Sequence, residues 1–272
     1  MKKILRPVII LVVVYISIGI LFYLLQDVIL FHAKSLIKEH QFSFDQPFEE
    51  INIDRGDRNL NVVKFKTDFN RKGIVLYFHG NRQNIERYSR FTPVFTSKGY
   101  EVWMPDYPGF GKSTGKRTEQ AMYSDASFLY AMALKEVPAE NIIIYGKSVG
   151  TGVASFLASN EESKALVLET PYYSIEKLVQ YYMPIYPVDL LLKYKFPVHE
   201  YLKNVDEPVF MFHGTKDEVI PYKQAIQLKQ ENQKVKLILI ENGKHNNLPN
   251  FKLFINTLDS LLNKLPGYLK NP

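Results

Sequence analysis

The residues best suited to chemistry in this 272-residue chain are a serine, an aspartate and a histidine, far apart in sequence. Ser148 lies in Gly146-Lys147-Ser148-Val149-Gly150, between the strand-like run Asn141–Tyr145 and the helix-compatible Thr151–Ser159. A G-x-S-x-G placed between a strand and a helix is the context of a nucleophile elbow. The turn is so tight that the residues two before and two after the serine must be small. A bare glycine-serine loop would give the same letters, but without the flanking strand and helix. A serine hydroxyl is a weak nucleophile and needs a base. Of the six histidines, His245 sits in the polar loop Glu241–Asn247 after the last strong strand. His79 and His213 each precede a glycine at a strand end, which suits the shaping of turns. His32, His40 and His199 fall in connector or insert regions. The base in turn needs an acid to hold its tautomer. Asp217, in His213–Pro221, fills that place, with Glu218 and Glu169 as rivals and a turn-capping aspartate as the plain alternative. An oxyanion would need backbone donors, expected at the N–H groups of Val149 and Asn81.

These groups need a scaffold that brings them together. Six apolar runs supply it: Gly73–Phe78, Tyr100–Met104, Asn141–Tyr145, Ala165–Glu169, Pro208–Phe212 and Val235–Ile240. Near-continuous Ile, Val, Leu and aromatic runs suit strands buried on both faces, and their alternation with helices predicts a mostly parallel α/β sheet. Two further strand-like runs, Phe48–Ile53 and Leu60–Lys66, precede them across the turn Asp54–Asp57. Ligands of such sheets bind at the carboxyl ends of strands, where the chemically suggestive residues cluster.

The first segment has another character. Val8–Leu25 carries no charge, and as a helix it is roughly 27 Å long, close to a hydrocarbon core. A cleaved secretory signal shares the basic start and apolar middle. The run exceeds a usual signal core, however, and no small-x-small site follows directly. The expected organisation is a tail over residues 1–6, a transmembrane anchor over 7–25, a connector over 26–47 partly helical around Val28–Lys38, and a catalytic domain over 48–272. Lys2, Lys3 and Arg6 precede the anchor, so the positive-inside rule places the N-terminus in the cytoplasm and the domain outside it, although Lys34 and Lys38 follow on the far side. Those three basic residues also supply half of the net charge of +6. No basic run interleaved with aromatics remains, which argues against a nucleic-acid partner. The chain has no cysteine, which removes disulfides, thiolate metal sites and a cysteine nucleophile. Gly111-Lys112-Ser113 and Gly146-Lys147-Ser148 lack the upstream glycine of a phosphate loop, and Thr114 interrupts a dinucleotide fingerprint. No metal or organic cofactor is therefore expected.

Five ordered motifs are similar to those of the α/β-hydrolase superfamily, most of all its membrane-anchored, serine-aminopeptidase-like and bud-emergence-type branch. They are HGN at His79–Asn81, DYPGFGKSTG at Asp106–Gly115, GKSVGTG at Gly146–Gly152, HGTKDEVIP at His213–Pro221 and GKHN at Gly243–Asn246. The resemblance implies the α/β-hydrolase fold, with Ser148, Asp217 and His245 as its triad. It also implies a small cap over the serine, about residues 171–206. The cap is rich in aromatic and aliphatic residues, and Tyr172, Tyr181 and Met183 are its expected substrate contacts. An apolar cap suits an acyl chain, and an anchor would present a bilayer-confined substrate to it. Cleavage of an acyl ester or thioester is the expected activity. Two alternatives are a peptidase acting on short peptides and a non-catalytic hydrolase-like domain that binds a lipid or protein.

Overall fold

The computed structural model describes residues 2–264, so the expected end of the domain over 265–272 lies outside the described residues. Its centre is an eight-stranded sheet: β1 Phe48–Asp54, β2 Asn59–Phe65, β3 Gly73–Phe78, β4 Tyr100–Pro105, β5 Ile142–Lys147, β6 Ala165–Glu169, β7 Val209–Gly214 and β8 Val235–Ile240. Their spatial order is β1-β2-β4-β3-β5-β6-β7-β8. From β4 to β8 neighbouring strands are parallel, whereas β2 runs antiparallel to both β1 and β4. The central strands are buried on both faces. Ile74, Leu76 and Phe78 of β3 join one apolar cluster, while Val75 and Tyr77 join the other. That two-residue alternation is the pleat of a strand, and it explains why both sets had to be apolar.

Long helices cover the sheet: α2 Glu119–Ala133, α3 Gly150–Ala158, α5 Lys223–Glu231 and α6 Lys252–Lys264. Between β6 and β7 the chain forms the cap, whose main helix is α4 Ile175–Tyr182. Ahead of the sheet, α1 runs over Lys2–Leu30 and is longer at both ends than the expected 7–25 span. Residues 8–14 of α1 are all exposed and all Val, Ile or Leu.

The connector departs from expectation. Helix around Val28–Lys38 stops at Leu30, and the next residues are extended. His32–Ala33 pairs in parallel with Arg82–Gln83, and Ser35 bridges Gly111. His32 N–H donates to Asn81 O at 2.8 Å, Lys34 N–H to Gln83 O at 3.0 Å, and Leu36 N–H to Gly111 O at 2.7 Å. Continuing the helix would forfeit those rim acceptors and withdraw Phe31, only 4% exposed, from the core. Tertiary pairing here overrides local propensity.

Two strand-end loops are locked to each other by a close glycine approach. A Cβ on Gly214 would stand 2.2 Å from Gly243 O, so only glycine fits there. The contact allows Lys216 N–H to donate to Gly243 O at 2.9 Å and Thr215 N–H to Ile240 O at 3.0 Å. One of these loops carries Asp217 and the other His245. We expect Gly214→Ala to separate them, lowering unfolding free energy in urea by about 1–3 kcal/mol. It should also increase the exchange of the Lys216 amide with solvent deuterium.

Candidate active site

Strand β5 ends in the elbow. Ser148 has φ 51°, a left-handed conformation that is strained for a residue with a side chain, by on the order of 1–3 kcal/mol. The surroundings enforce it. Ser148 N–H donates to Glu169 O at 2.9 Å, and Ser148 O accepts from Thr151 N–H at 2.9 Å as α3 begins. A Cβ on Gly150 would lie 2.1 Å from Phe78 O, and one on Gly146 would lie 2.6 Å from Gly150 O. Those two glycines let β5, α3 and the end of β3 meet at the serine.

The structure brings Ser148, His245 and Asp217 together. Asp217 Oδ2 accepts from His245 Nδ1–H at 2.8 Å, which leaves Nε2 with its lone pair. Ser148 Oγ–H donates to that Nε2 at 3.1 Å. The other oxygen of Asp217 accepts the Val219 and Ile220 N–H groups, both at 2.8 Å. Asp217 Oδ2 also lies 3.3 Å from Nε2 of His213, whose N–H donates to Ile220 O at 2.9 Å. Burial alone would push the Asp217 carboxyl up. Hydrogen bonds from His213 and His245, with the charge of His245, hold it well below the usual carboxylate range.

Among the described residues neither rival acid bonds to the His245 ring. Glu169 is buried and pairs with Lys147, and it accepts from Tyr145 OH at 2.5 Å. Glu218 lines the cavity beside Ser148. His79 takes the turn-shaping role expected of it: its ring lies 2.7 Å from Gly80 O and 3.0 Å from Asp106 Oδ1. His213 also orders a turn, and its approach to Asp217 was missed in the sequence, where His-Gly at a strand end signals only a turn.

Asn81 and Val149 flank Ser148 along the same cavity. Neither backbone N–H donates to a backbone acceptor among the described residues. Asn81 Nδ2 donates to Leu30 O at 2.7 Å, so the carboxyl end of α1 fixes the loop that carries this N–H.

The cavity over Ser148 holds about 440 Å³ and is mainly apolar, within the range of small-molecule sites. Tyr172 and Met183 line it. Tyr172 is buried, and its hydroxyl donates to Val149 O at 3.1 Å. Tyr181, expected to line the cavity, instead points away from it, with 63% of its surface exposed. Helical spacing is the reason: Ile175, Leu178, Val179 and Tyr182 repeat at i, i+3, i+4 and i+7 and take the inner face of α4, leaving Tyr181 outside it. Part of the wall comes from an unexpected source, since Phe22, Ile29 and Leu30 of α1 also line the cavity, followed by Phe31. A uniformly apolar run shows no preferred face, so nothing in its pattern marks those positions.

A mostly parallel eight-stranded sheet with its second strand reversed, and a serine on a strained turn after the fifth, defines the class of α/β-hydrolases. Comparisons with known proteins agree. A family model described as serine aminopeptidase, S33, matches residues 70–203. The chain is 30% identical over 199 residues to human alpha/beta hydrolase domain-containing protein 17B, covering 72% of this chain and 68% of that protein. The Xenopus tropicalis protein of the same name is 28% identical, covering 70% of this chain and 66% of its own length. Thus the chain spans about two thirds of the length of these relatives. An esterase of Pyrococcus furiosus superposes with a TM-score of 0.66 at 18% identity, over 86% of this chain and 97% of the esterase. A soluble variant of the monoglyceride lipase of Saccharomyces cerevisiae also gives 0.66, at 16% identity, over 84% and 99% of the two chains. The chain belongs to the α/β-hydrolase superfamily.

The depressed Asp217 acidity has a consequence for stability. Its ionised form is favoured by folding, so its contribution is complete above the ordinary carboxylate range, about pH 4, and drains away as pH falls through the lower folded value. The stability gap between the protein and Asp217→Asn should not shrink from pH 8 to 5 and should narrow below about pH 4. Urea unfolding across that range checks it, and a gap that narrows already between pH 7 and 5 would contradict this reading.

Proposed function

We propose that this protein is a membrane-anchored serine hydrolase that cleaves a carboxylic ester or thioester of an acyl or lipid substrate through an acyl-enzyme. The observation that carries the reading is the continuous chain from Ser148 Oγ to His245 Nε2 at 3.1 Å and from His245 Nδ1 to Asp217 Oδ2 at 2.8 Å. In this mechanism His245 Nε2 takes the Ser148 proton while Oγ bonds to the substrate carbonyl carbon. The carbonyl oxygen becomes an oxyanion facing the N–H groups of Val149 and Asn81, each such donor being typically worth about 3 kcal/mol in the transition state. As the bond to the leaving oxygen or sulfur breaks, His245 passes the proton to it. Water then attacks the acyl-enzyme, giving a proton to His245, which returns it to Ser148 Oγ as the carboxylic acid is released. Asp217 holds the imidazole tautomer throughout, supported by His213.

The apolar cavity supports an acyl chain as the group bound. Helix α1 supports the anchor: Leu5–Leu30 is long and apolar enough to cross a bilayer, and most of its apolar side chains are exposed. With Lys2, Lys3 and Arg6 at its start, the N-terminus lies in the cytoplasm and the catalytic domain on the other side. A second reading, hydrolysis of short peptides, is favoured by the Glu218 carboxylate in the cavity lining, which could hold a free amino terminus. Turnover of p-nitrophenyl acyl esters against aminoacyl anilides separates the two.

A fluorophosphonate probe should label the native protein, and Ser148→Ala or His245→Ala should abolish labelling without unfolding it. An intact protein that stays unlabelled would sink the proposal. Acyl preference gives a finer check, because each buried methylene contributes about 0.8 kcal/mol, about fourfold in kcat/KM. Met183→Trp should shorten the preferred chain while sparing butyryl esters.

A further inference from the structure

Helix α1 touches the cap far from its own end. Tyr15 stacks on Tyr186 with ring centroids 4.5 Å apart and planes within 6°. Tyr15 OH donates to Ile185 O at 2.9 Å, and Tyr186 OH donates to Tyr15 O at 3.2 Å. Eleven residues further on come the first amide and carboxylate side chains after the apolar run. Gln26 is fully buried; its Nε2 donates to Leu191 O at 3.0 Å, and its Oε1 accepts from Lys193 N–H at 2.7 Å. Lys193 pairs with Asp27 at 3.3 Å, and Tyr194 donates to the same carboxylate.

These contacts set a depth. At 1.5 Å per residue Tyr15 lies roughly 16 Å along α1 from Gln26, which is half of a hydrocarbon core about 30 Å thick. If Gln26, Asp27 and Lys193 mark the edge of that core, Ile185 lies well inside it. The composition of the cap tip agrees. Asp189 is the single charged residue from Tyr181 to Leu192, and Tyr181, Ile185 and Leu190 are 63, 72 and 77% exposed. In water such a patch would be an unfavourable surface; against lipid it is matched. The cavity reaches this surface too. Its exposed apolar lining residues are Ile29 of α1, Tyr182 of α4 and Val219, with Glu218 as its one carboxylate.

We infer that the cap tip is embedded beside α1 in the leaflet nearer the catalytic domain, and that a membrane lipid's acyl chain enters the cavity directly from that leaflet between α1 and α4. This deepens the hydrolase reading and rests on it. The substrate is then an ester or thioester whose acyl chain resides in the bilayer, and α1 is both tether and wall of the entry path.

Two measurements on the full chain in proteoliposomes test this. The absence of cysteine allows a nitroxide to be placed by Ile185→Cys, with Lys216→Cys as the exposed control. The label at 185 should be relaxed strongly by oxygen and at least fivefold less than the control by a water-soluble nickel chelate. Equal nickel accessibility at both sites would overturn the embedded cap. Separately, the double variant Ile185→Glu/Leu190→Glu should hydrolyse a bilayer-embedded long-chain acyl thioester at least tenfold more slowly. Its turnover of p-nitrophenyl butyrate and its fluorophosphonate labelling should be unchanged. A variant that handles embedded and soluble substrates as the parent does would overturn the entry path. A parent protein inert to probe and both substrates would instead sink the hydrolase reading, and the substrate half of this inference with it, while the nitroxide result would still decide where the cap lies.

Discussion

The 3.1 Å contact between Ser148 and His245 joins residues 97 positions apart, and most of the fold can be understood as the means of holding it. A hydroxyl can meet an imidazole this way only if it stands clear of the sheet edge. That requires a left-handed serine, which requires near-absent side chains at Gly146 and Gly150. The imidazole must in turn be aimed from a separate strand end. The close backbone approach of Gly214 and Gly243 holds the aspartate and histidine loops side by side, and backbone N–H groups fix the far oxygen of Asp217. Each of these constraints is local and steric. Their sum is an electrostatic arrangement that does not have to be organised anew when a substrate arrives.

Much of the sheet was legible because its strands are both short and uniformly apolar. Gly73–Phe78, Ala165–Glu169 and Val235–Ile240 begin and end where the sequence suggests, since turn formers bound each run. Strand β5 reaches Lys147 instead of stopping at Tyr145, because the backbone stays paired up to the elbow itself. Asp217 and His245 could be placed from chain order and loop position, and their juxtaposition follows from the parallel neighbours β7 and β8. Three features stayed hidden for different reasons. The stretch after Leu30 is extended because acceptors from Asn81, Gln83 and Gly111 draw it out, and no local pattern encodes partners so distant in the sequence. Tyr181 has the right composition but the wrong angular position on an eight-residue helix. The contribution of Phe22, Ile29 and Leu30 to the cavity has no periodic trace in a helix that is apolar all round.

A helix of this kind would ordinarily be taken as an inert tether joined by a flexible leash. Here no leash is present, because Leu30 O is already bonded to Asn81 Nδ2 and the five residues from His32 to Leu36 are paired to the rim loops. Gln26 and Asp27, the first polar residues after the apolar run, are spent on the cap. Helix, cap and rim are therefore one packed unit.

That continuity bears on how the protein can be handled. Trimming the chain to Phe31 for the sake of solubility would strip off three side chains of the cavity wall, bare the buried surface of Tyr186, and leave the Asn81 amide and the Lys193 N–H without their acceptors. A shortened protein with altered chain-length selectivity would then be reporting on its missing helix, and detergent or lipid that refilled the gap would be acting as a prosthesis for it.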